Sequence, residues 1–331
     1  MDITTKSKIK QVCLPAYTIY RKLFNAYCVR FAKQRIEKNY KRLFGRNIDW
    51  NNPQDLNEKI NWLKFHADLK KWGMLADKYA VRKYVTDKGY SNILIPILGK
   101  WDNVDALLND WNKLPDEFVL KSNNGCGHVI IITKENGGKK AINLSDLKRE
   151  VTLWLRENDY GIQNAEFHYQ YIKNCIIAEQ YLNDNSISEF SKAPIDYKIY
   201  CANGKPLICY VSYGRTLTSK GEHKRIGDMY DLNWNQHSEY MTIDMPRRTL
   251  PKPEHWEEML EIASVLSTDL TEVRVDLYNV SGKIYFGELT LTNASGFDTE
   301  YKPEVILRLG KAIKLNLKAP VNEYGKLFTW K

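Results

Sequence analysis

No stretch of the 331-residue chain approaches the roughly 20 consecutive apolar residues that a membrane-spanning helix needs. No short apolar core with a small-residue cleavage site stands near the N-terminus, so a secretory leader is not expected. The six cysteines (Cys13, Cys28, Cys126, Cys175, Cys201 and Cys209) form no C-x-x-C pair and no Cys/His cluster with zinc spacing. They are too sparse and irregular for a disulfide framework, which points to a reducing, cytoplasmic compartment. The chain lacks the phosphate loop G-x-x-x-x-G-K-[ST] and the dinucleotide fingerprint in its strand–loop–helix setting. It has no D-x-D, which a metal-dependent nucleotide-sugar enzyme would often show. Internal repeats and low-complexity tracts are also missing.

Acidic residues are scarce at one end only. Residues 1–50 hold twelve Lys/Arg against three Asp/Glu, so the whole net charge of +9 lies there and the remainder is neutral. A basic body suited to nucleic acid is therefore not expected. Within 16–44 the residues Tyr20, Leu23, Tyr27, Phe31, Ile36, Tyr40 and Leu43 recur at steps that mostly fit a helix, with basic residues interleaved. This helix either docks on the body with a solvated basic face or lies on an anionic membrane surface at the inner face of the cytoplasmic membrane.

Asn51-Asn52-Pro53 ends that helix, and a second helical stretch is expected over 56–90. Ile93–Ile97 is a short apolar run. Strands are expected at 118–120 and 129–132, a helix at 144–158, and a strand at 175–178. Asn203-Gly204 marks a hairpin between 197–201 and 206–212. Residues 214–245 are polar and rich in turns and read as loops. A helix over 253–270, a hairpin of 272–278 with 283–291 turning at Ser281-Gly282, and a helix over 303–316 complete the chain. Hairpins mixed with helices, without regular βαβ units, give an α+β fold.

Lys121 ends one apolar strand, and the loop that follows carries Gly125 and Gly127 before the next strand. Glycines let backbone N–H groups approach a phosphate, and a lysine adds a point charge. Alone the pattern is usually a turn. The C-terminal hairpin adds Arg274 and Asp276 on one face of a strand, and Glu288 and Thr290 on one face of the next. Asp276 and Glu288 could share a hard cation, which favours oxygen ligands and substrate phosphates.

The strings Asn57-Glu58-Lys59-Ile60, Asp77-Lys78-Tyr79-Ala80-Val81-Arg82, Phe118-Val119-Leu120-Lys121-Ser122-Asn123, Asp196-Tyr197-Lys198-Ile199-Tyr200 and Phe286-Gly287-Glu288-Leu289-Thr290, in this order, resemble the ATP-grasp superfamily. Within it they resemble the TupA-like (teichuronopeptide-synthesis) branch, associated with bacterial surface polysaccharides. The resemblance spans roughly residues 40–325 and implies an ATP-grasp fold of two α+β subdomains that grip ATP. It implies a basic helix at 1–45, a helical region at 46–115, a lid subdomain at 116–180 and a catalytic subdomain at 181–331.

By position, Lys78 and Lys121 would hold nucleotide phosphates under a mobile loop containing Gly125 and Gly127. Glu179, Tyr181 and Leu182 would border adenine. Asp196 and Lys198 would lie near the ribose and phosphates, Arg274 near the reacting acyl group, and Asp276 and Glu288 on Mg²⁺, with Mn²⁺ as a substitute. The superfamily usually has Asn two residues after the metal-binding Glu, where this chain has Thr290; Thr290 and the nearby Asn293 complete the expected metal set. The branch often has His where this chain has Asn124.

The resemblance implies a carboxylate–amine ligase working through an acyl-phosphate, with an amino acid or a uronic-acid glycan unit as substrate. The alternatives are a glycosyltransferase, a phosphotransferase acting on a hydroxyl, and a non-catalytic ATP-binding scaffold of polysaccharide assembly.

Overall fold

The computed structural model describes residues 14–157, 159–184, 189–191, 193–217 and 223–330, of which 14–17, 215–217 and 223–224 are described by backbone alone. The first part of the basic segment, residues 1–13, thus lies outside the described residues. The helix expected over 16–44 is two helices, α1 (Leu14–Arg30) and α2 (Ala32–Phe44), parted at Phe31. Gly45 ends α2 in the left-handed conformation at φ +71°, its N–H bonded to the Lys41 carbonyl.

The two helices sit differently on the body. Ala32, Ile36 and Tyr40 of α2 are buried against Ile48, Phe65, Leu69 and Phe167. On α1 the polar side faces inward: Arg21 pairs with Asp159, and the Asn25 amide donates to the same carboxylate at 2.8 Å. The apolar stripe faces outward, with Tyr20 60%, Leu23 67%, Tyr27 50% and Phe31 41% exposed.

The single helical stretch expected over 56–90 is instead α3 (Leu56–Leu63), α4 (Leu69–Ala76) and α5 (Val81–Asp87). The breaks fall at aspartates that cap new turns. Asp55 forms a capping box with Glu58, Asp68 accepts from the N–H groups of Lys70 and Lys71, and Asp77 accepts from those of Tyr79 and Ala80.

A four-stranded antiparallel sheet has the order β1 (Ile97–Trp101), β4 (Ile176–Gln180), β2 (Phe118–Ser122), β3 (Val129–Ile132). Helices α6 (Val104–Asp110) and α7 (Leu144–Arg156) contribute Leu107, Leu147, Val151 and Trp154 to the core that buries Phe118, Leu120, Ile176 and Ala178 of this sheet. Strand β1 begins where the expected apolar run ends, and Gly99 and Lys100 disguise it. Because β1 pairs with β4, residues 97–101 belong to the small sheet.

The larger sheet is also antiparallel, in the order β7 (His223–Tyr230), β6 (Lys205–Leu217), β5 (Asp196–Ala202), β8 (Glu272–Val280), β9 (Lys283–Thr290). The region 214–245, read as loops, therefore supplies the end of β6 and all of β7. That edge strand lacks a clean apolar alternation, so its sequence did not announce it. One face of β8 and β5 (Val273, Val275, Leu277, Ile199 and Cys201) shares a core with Met259, Ile262 and Leu266 of α8 (Trp256–Ser267). On the opposite face, Tyr200 and Ala202 share a core with Leu56 and Ile60 of α3 and with Val305 and Leu309 of α9 (Pro303–Ala312). The charged residues of β5 and β8 stand on this second face.

Candidate functional site

Strand pairing assembles the charged group. Lys198 of β5 lies opposite Asp276 of β8, and Asp276 lies opposite Glu288 of β9, while Arg274 lies opposite Thr290. Period-2 alternation therefore puts all five on one face. The Lys198 ammonium donates to Asp276 Oδ2 at 2.5 Å and lies 3.6 Å from Asp196. Arg274 forks onto both Asp276 oxygens at 2.7 Å and reaches Thr290 Oγ1 at 3.0 Å and Glu288 Oε1 at 3.5 Å.

Burial lowers the Lys198 ammonium below its ordinary value, against the pull of Asp276. Burial also works against the Asp276 carboxylate, but Arg274 and Lys198 outweigh it and hold this group below its ordinary range.

The donor set suits one hard divalent cation. Two carboxylates stand in register on neighbouring strands, with the Thr290 hydroxyl 3.0 Å from Glu288 Oε1. Asp276 is neutralised on both oxygens, whereas the Glu288 side chain is 46% exposed and meets Arg274 at 3.5 Å and the Thr290 hydroxyl through one oxygen. Glu288 is the carboxylate with room for a cation. Asn293 joins the same group through Arg274: its amide oxygen accepts from that guanidinium and its nitrogen donates to Asp298 at 2.6 Å.

A second group of charges comes from the small sheet and the α4–α5 link. Lys121 pairs with Glu179 at 2.6 Å, and Arg82 stands 3.9 Å from the same carboxylate. Glu179 lies inside β4 with its side chain 9% exposed. Glu179 is thus the counter-ion of Lys121 in this structure, at the end of β4 that leads into Tyr181 and Leu182. Tyr181 and Leu182, directly after β4, are half-buried.

Lys78 donates to the Gly125 carbonyl at 2.5 Å. Burial lowers its ammonium, with Glu288 the leading charge that opposes this and Glu179 adding to it. Lys78 is therefore bonded to the glycine loop of one sheet and feels the charge of Glu288 on the other.

The loop itself is pinned at its base. Asn123 accepts from the Cys175 N–H at 2.7 Å and donates to the Lys173 carbonyl, and Asn124 donates to Asn174 at 2.9 Å. Gly125 and Gly127 adopt φ +73° and +84°. A Cβ on Gly125 would meet the Tyr160 ring at 2.8 Å, so both conformation and space demand glycine there. His128 stacks on Trp154, 3.5 Å from Glu157, and makes no contact with the charged group.

Sequence reasoning missed a clamp behind Arg274. After β9 the backbone passes through Ala294, Ser295 and Gly296 at φ +46°, +53° and +69°. Such conformations in non-glycine residues cost of order 1–3 kcal/mol each and persist where the surroundings impose them. One polar face of α3 does the imposing. Asn57 exchanges two hydrogen bonds with the Asp298 backbone, at 3.0 and 2.8 Å, and Asn61 donates to the Gly296 carbonyl at 2.7 Å.

Lys64 follows at the end of that face and donates to the carbonyls of Ser295 at 2.7 Å and Asn164 at 2.8 Å. Its burial pushes the ammonium down to about 8. Glu166 accepts from Thr292 and Ser295. The chain of contacts Asn57–Asp298–Asn293–Arg274 thus fixes the guanidinium. The spacing of Asn57, Asn61 and Lys64 at 0, 4 and 7 on an otherwise buried helix was the available signal.

The sequence pattern of the TupA-like ATPgrasp family matches residues 58–314, well over half of the chain. No curated protein matches. Among solved structures, D-alanine–D-alanine ligase from Bacillus anthracis is 14% identical over 80% of this chain and 67% of its own, with a TM-score of 0.40. The ATP-grasp ligase PsnB, solved with a minimal precursor, is 9% identical over 80% of this chain and 61% of its own, at 0.38. D-Alanine-D-alanine ligase from Helicobacter pylori is 15% identical over 77% and 62%, at 0.36. The aligned part thus amounts to between 61 and 67% of the length of these solved chains.

Proposed function

The chain belongs to the TupA-like ATP-grasp family and has its α+β fold, and from that premise we propose that it is an ATP- and Mg²⁺-dependent carboxylate–amine ligase of surface-polysaccharide assembly. The observation that carries the reading is the clustering of Lys198 and Arg274 on Asp276 and Glu288 of the larger sheet, with Lys78 at the glycine loop under the influence of Glu288 and Lys121 paired with Glu179 on the small sheet. Four cations, with the half-exposed Glu288 among their acceptors, suit a polyanion more than a neutral sugar. A triphosphate would take over the partners that these cations now find among carboxylates.

In this reading Lys78 and Lys121 hold phosphates beneath the Gly125–Gly127 loop, which excludes water from the transferred group. Tyr181 and Leu182 border the base, and Asp196 lies toward the ribose and phosphates. Glu288 and Asp276, with Thr290 beside them, would hold Mg²⁺, which when bound neutralises charge on the phosphates. The substrate carboxylate attacks the γ-phosphorus and ADP leaves. The amine then attacks the acyl carbon, inorganic phosphate leaves, and the nitrogen releases a proton. Arg274, preset by Asp276 and Asn293, stabilises the oxyanion of that second step.

The test is a screen of sugar acids and amino acids with Mg·ATP, scoring ADP and phosphate release, with hydroxylamine added to trap the acyl-phosphate as a hydroxamate. Consumption of a nucleotide-sugar without ATP would overturn the ligase reading and favour glycosyl transfer.

The outward stripe of α1 supports a partner as well. Helix α1 presents Tyr20, Leu23 and Tyr27, and Phe31 just beyond its end, away from the body while its polar side is tied to Asp159. Lys22 and Arg30 flank this stripe, Lys38, Lys41 and Arg42 follow on α2, and residues 3–36 contain no Asp or Glu. A second copy of the chain would set cation against cation, whereas an anionic leaflet complements both the charge and the apolar face. Peripheral docking on such a leaflet would bring the enzyme to lipid-linked glycan intermediates. Sedimentation with anionic vesicles should show binding that falls with salt and is lost in a Tyr20→Ser, Leu23→Ser, Tyr27→Ser variant. Indifference of the wild type to anionic vesicles at low salt would refute it.

A further inference from the structure

A recess of about 230 Å³ lies where the end of α3, the start of α4 and residues Asp269–Glu272 come together. Trp62, His66, Trp72, Asp68, Asp269 and Glu272 are among the residues that line it. Its chemistry is not that of the phosphate site. Three acidic residues and one lysine, Lys71, line the recess, and Lys71 donates to the Asp269 carbonyl at 3.3 Å.

Two of the acids have partners. Asp68 caps α4, and Asp269 stands 3.6 Å from Lys88. Glu272 does not. It is 3% exposed, and neither carboxyl oxygen has a hydrogen-bond partner among the described residues. A buried polar group without a partner is uncommon in a folded protein and marks a place where a ligand, ion or water completes the structure.

We propose that this recess binds a primary ammonium group, as borne by an amino acid or an amino sugar, with Glu272 as its acceptor. Glu272 sits on the same face of β8 as Arg274, two residues away, about 7 Å along the strand. An amine gathered here is therefore next to the guanidinium that faces the reacting group. As a cation-binding recess the site stands by itself; as the acceptor-amine site it rests on the ligase reading.

Burial keeps the empty Glu272 carboxyl protonated at neutral pH, with Arg274 opposing. Pairing with an ammonium ionises it, so one proton passes to the buffer as the ion pair forms. His66, whose ring is held below its ordinary value by burial, together with Asp68, Asp269 and Lys71, completes the set of titratable groups facing the recess.

Isothermal titration of the full chain with ethylammonium chloride, in phosphate and in HEPES at pH 7, tests this without ATP. The expected result is saturable binding whose heat differs between the buffers in proportion to about one released proton. Glu272→Gln should weaken it by about tenfold or more, the fold-change expected when one member of a buried charged pair is lost. Lys121→Ala should leave it unchanged, and glucosamine should compete where ethanol does not.

Equal binding by wild type and Glu272→Gln, or saturation without proton release, overturns the proposal. The wild-type proton count stands even if the variant does not fold. Hydroxamate formation by an enzyme that fails to bind ethylammonium sinks the recess and spares the ligase; ethylammonium binding with no ATP-dependent amide formation from any acid does the reverse.

Discussion

Glu272→Gln replaces a buried carboxyl by an amide of nearly the same shape. Glu272 is 3% exposed, both its oxygens are unpartnered, and burial pushes the carboxyl from 4.5 up to about 8, with Arg274 pulling the other way. Between pH 4.5 and 8 the folded protein keeps this proton while the unfolded chain has released it. Stability therefore falls as pH rises through that window. Each pH unit crossed there costs about 1.4 kcal/mol, so the loss between pH 4.5 and 7 is roughly 3 kcal/mol. For a chain of 331 residues the melting entropy is about 0.7 kcal/mol/K, which turns this into about 4 °C.

Glutamine has no proton to lose. Glu272→Gln is expected to melt with the wild type at pH 4.5 and about 4 °C above it at pH 7. His66, Asp68, Asp269, Lys71 and Arg274 are the same in both proteins, so the difference between the two melting curves isolates Glu272. Thermal denaturation followed by fluorescence across this pH range is sufficient. A difference that does not change with pH, or a variant that loses ground as pH rises, would show that the folded protein does not hold Glu272 protonated.

Other expectations concern the charged site and its supports. Lys121→Ala should weaken Mg·ATP binding by calorimetry, whereas Glu288→Gln should leave much of the binding and abolish turnover; wild-type behaviour in both variants would remove the site from this face. Gly125→Ala forces a Cβ to 2.8 Å from Tyr160 at φ +73°, a strain of about 1–2 kcal/mol before the ring moves, and should raise the ATP KM while the melting temperature changes little. Asn57→Ala removes both partners of the Asp298 backbone, each worth about 1–3 kcal/mol when left buried and unpaired. It should lower stability by a few kcal/mol and lower kcat through the loosened Asn293–Arg274 contact, which a ligand-free melting curve and a rate measured well below the new melting temperature would separate.

Whatever depends on local periodicity was legible in the residues alone. Alternation along β8 and β9 was enough to place Arg274 with Asp276 and Glu288 with Thr290, and the structure keeps those pairs on one face. Lys121 at a strand end, and two glycines in the loop beyond it, were equally legible, because turn chemistry is written in neighbouring residues. Even the broken helix of 56–90 carries its signals in Asp68 and Asp77, which cap new turns.

Packing settled what no spacing encodes. Glu179 answers Lys121 because β4 inserts between β1 and β2, bringing Glu179 opposite Val119 and diagonal to Lys121 on the same face. Asn57, Asn61 and Lys64 matter because α3 lies under a strained loop more than 230 residues further along the chain. The unpartnered state of Glu272 is a property of everything packed around it. The stripe of α1 reads the same in sequence whether it is buried or exposed. Only the anchoring of the opposite side of α1 to Asp159 turns the stripe outward, because a helix has one face per partner and the body had already taken the polar one.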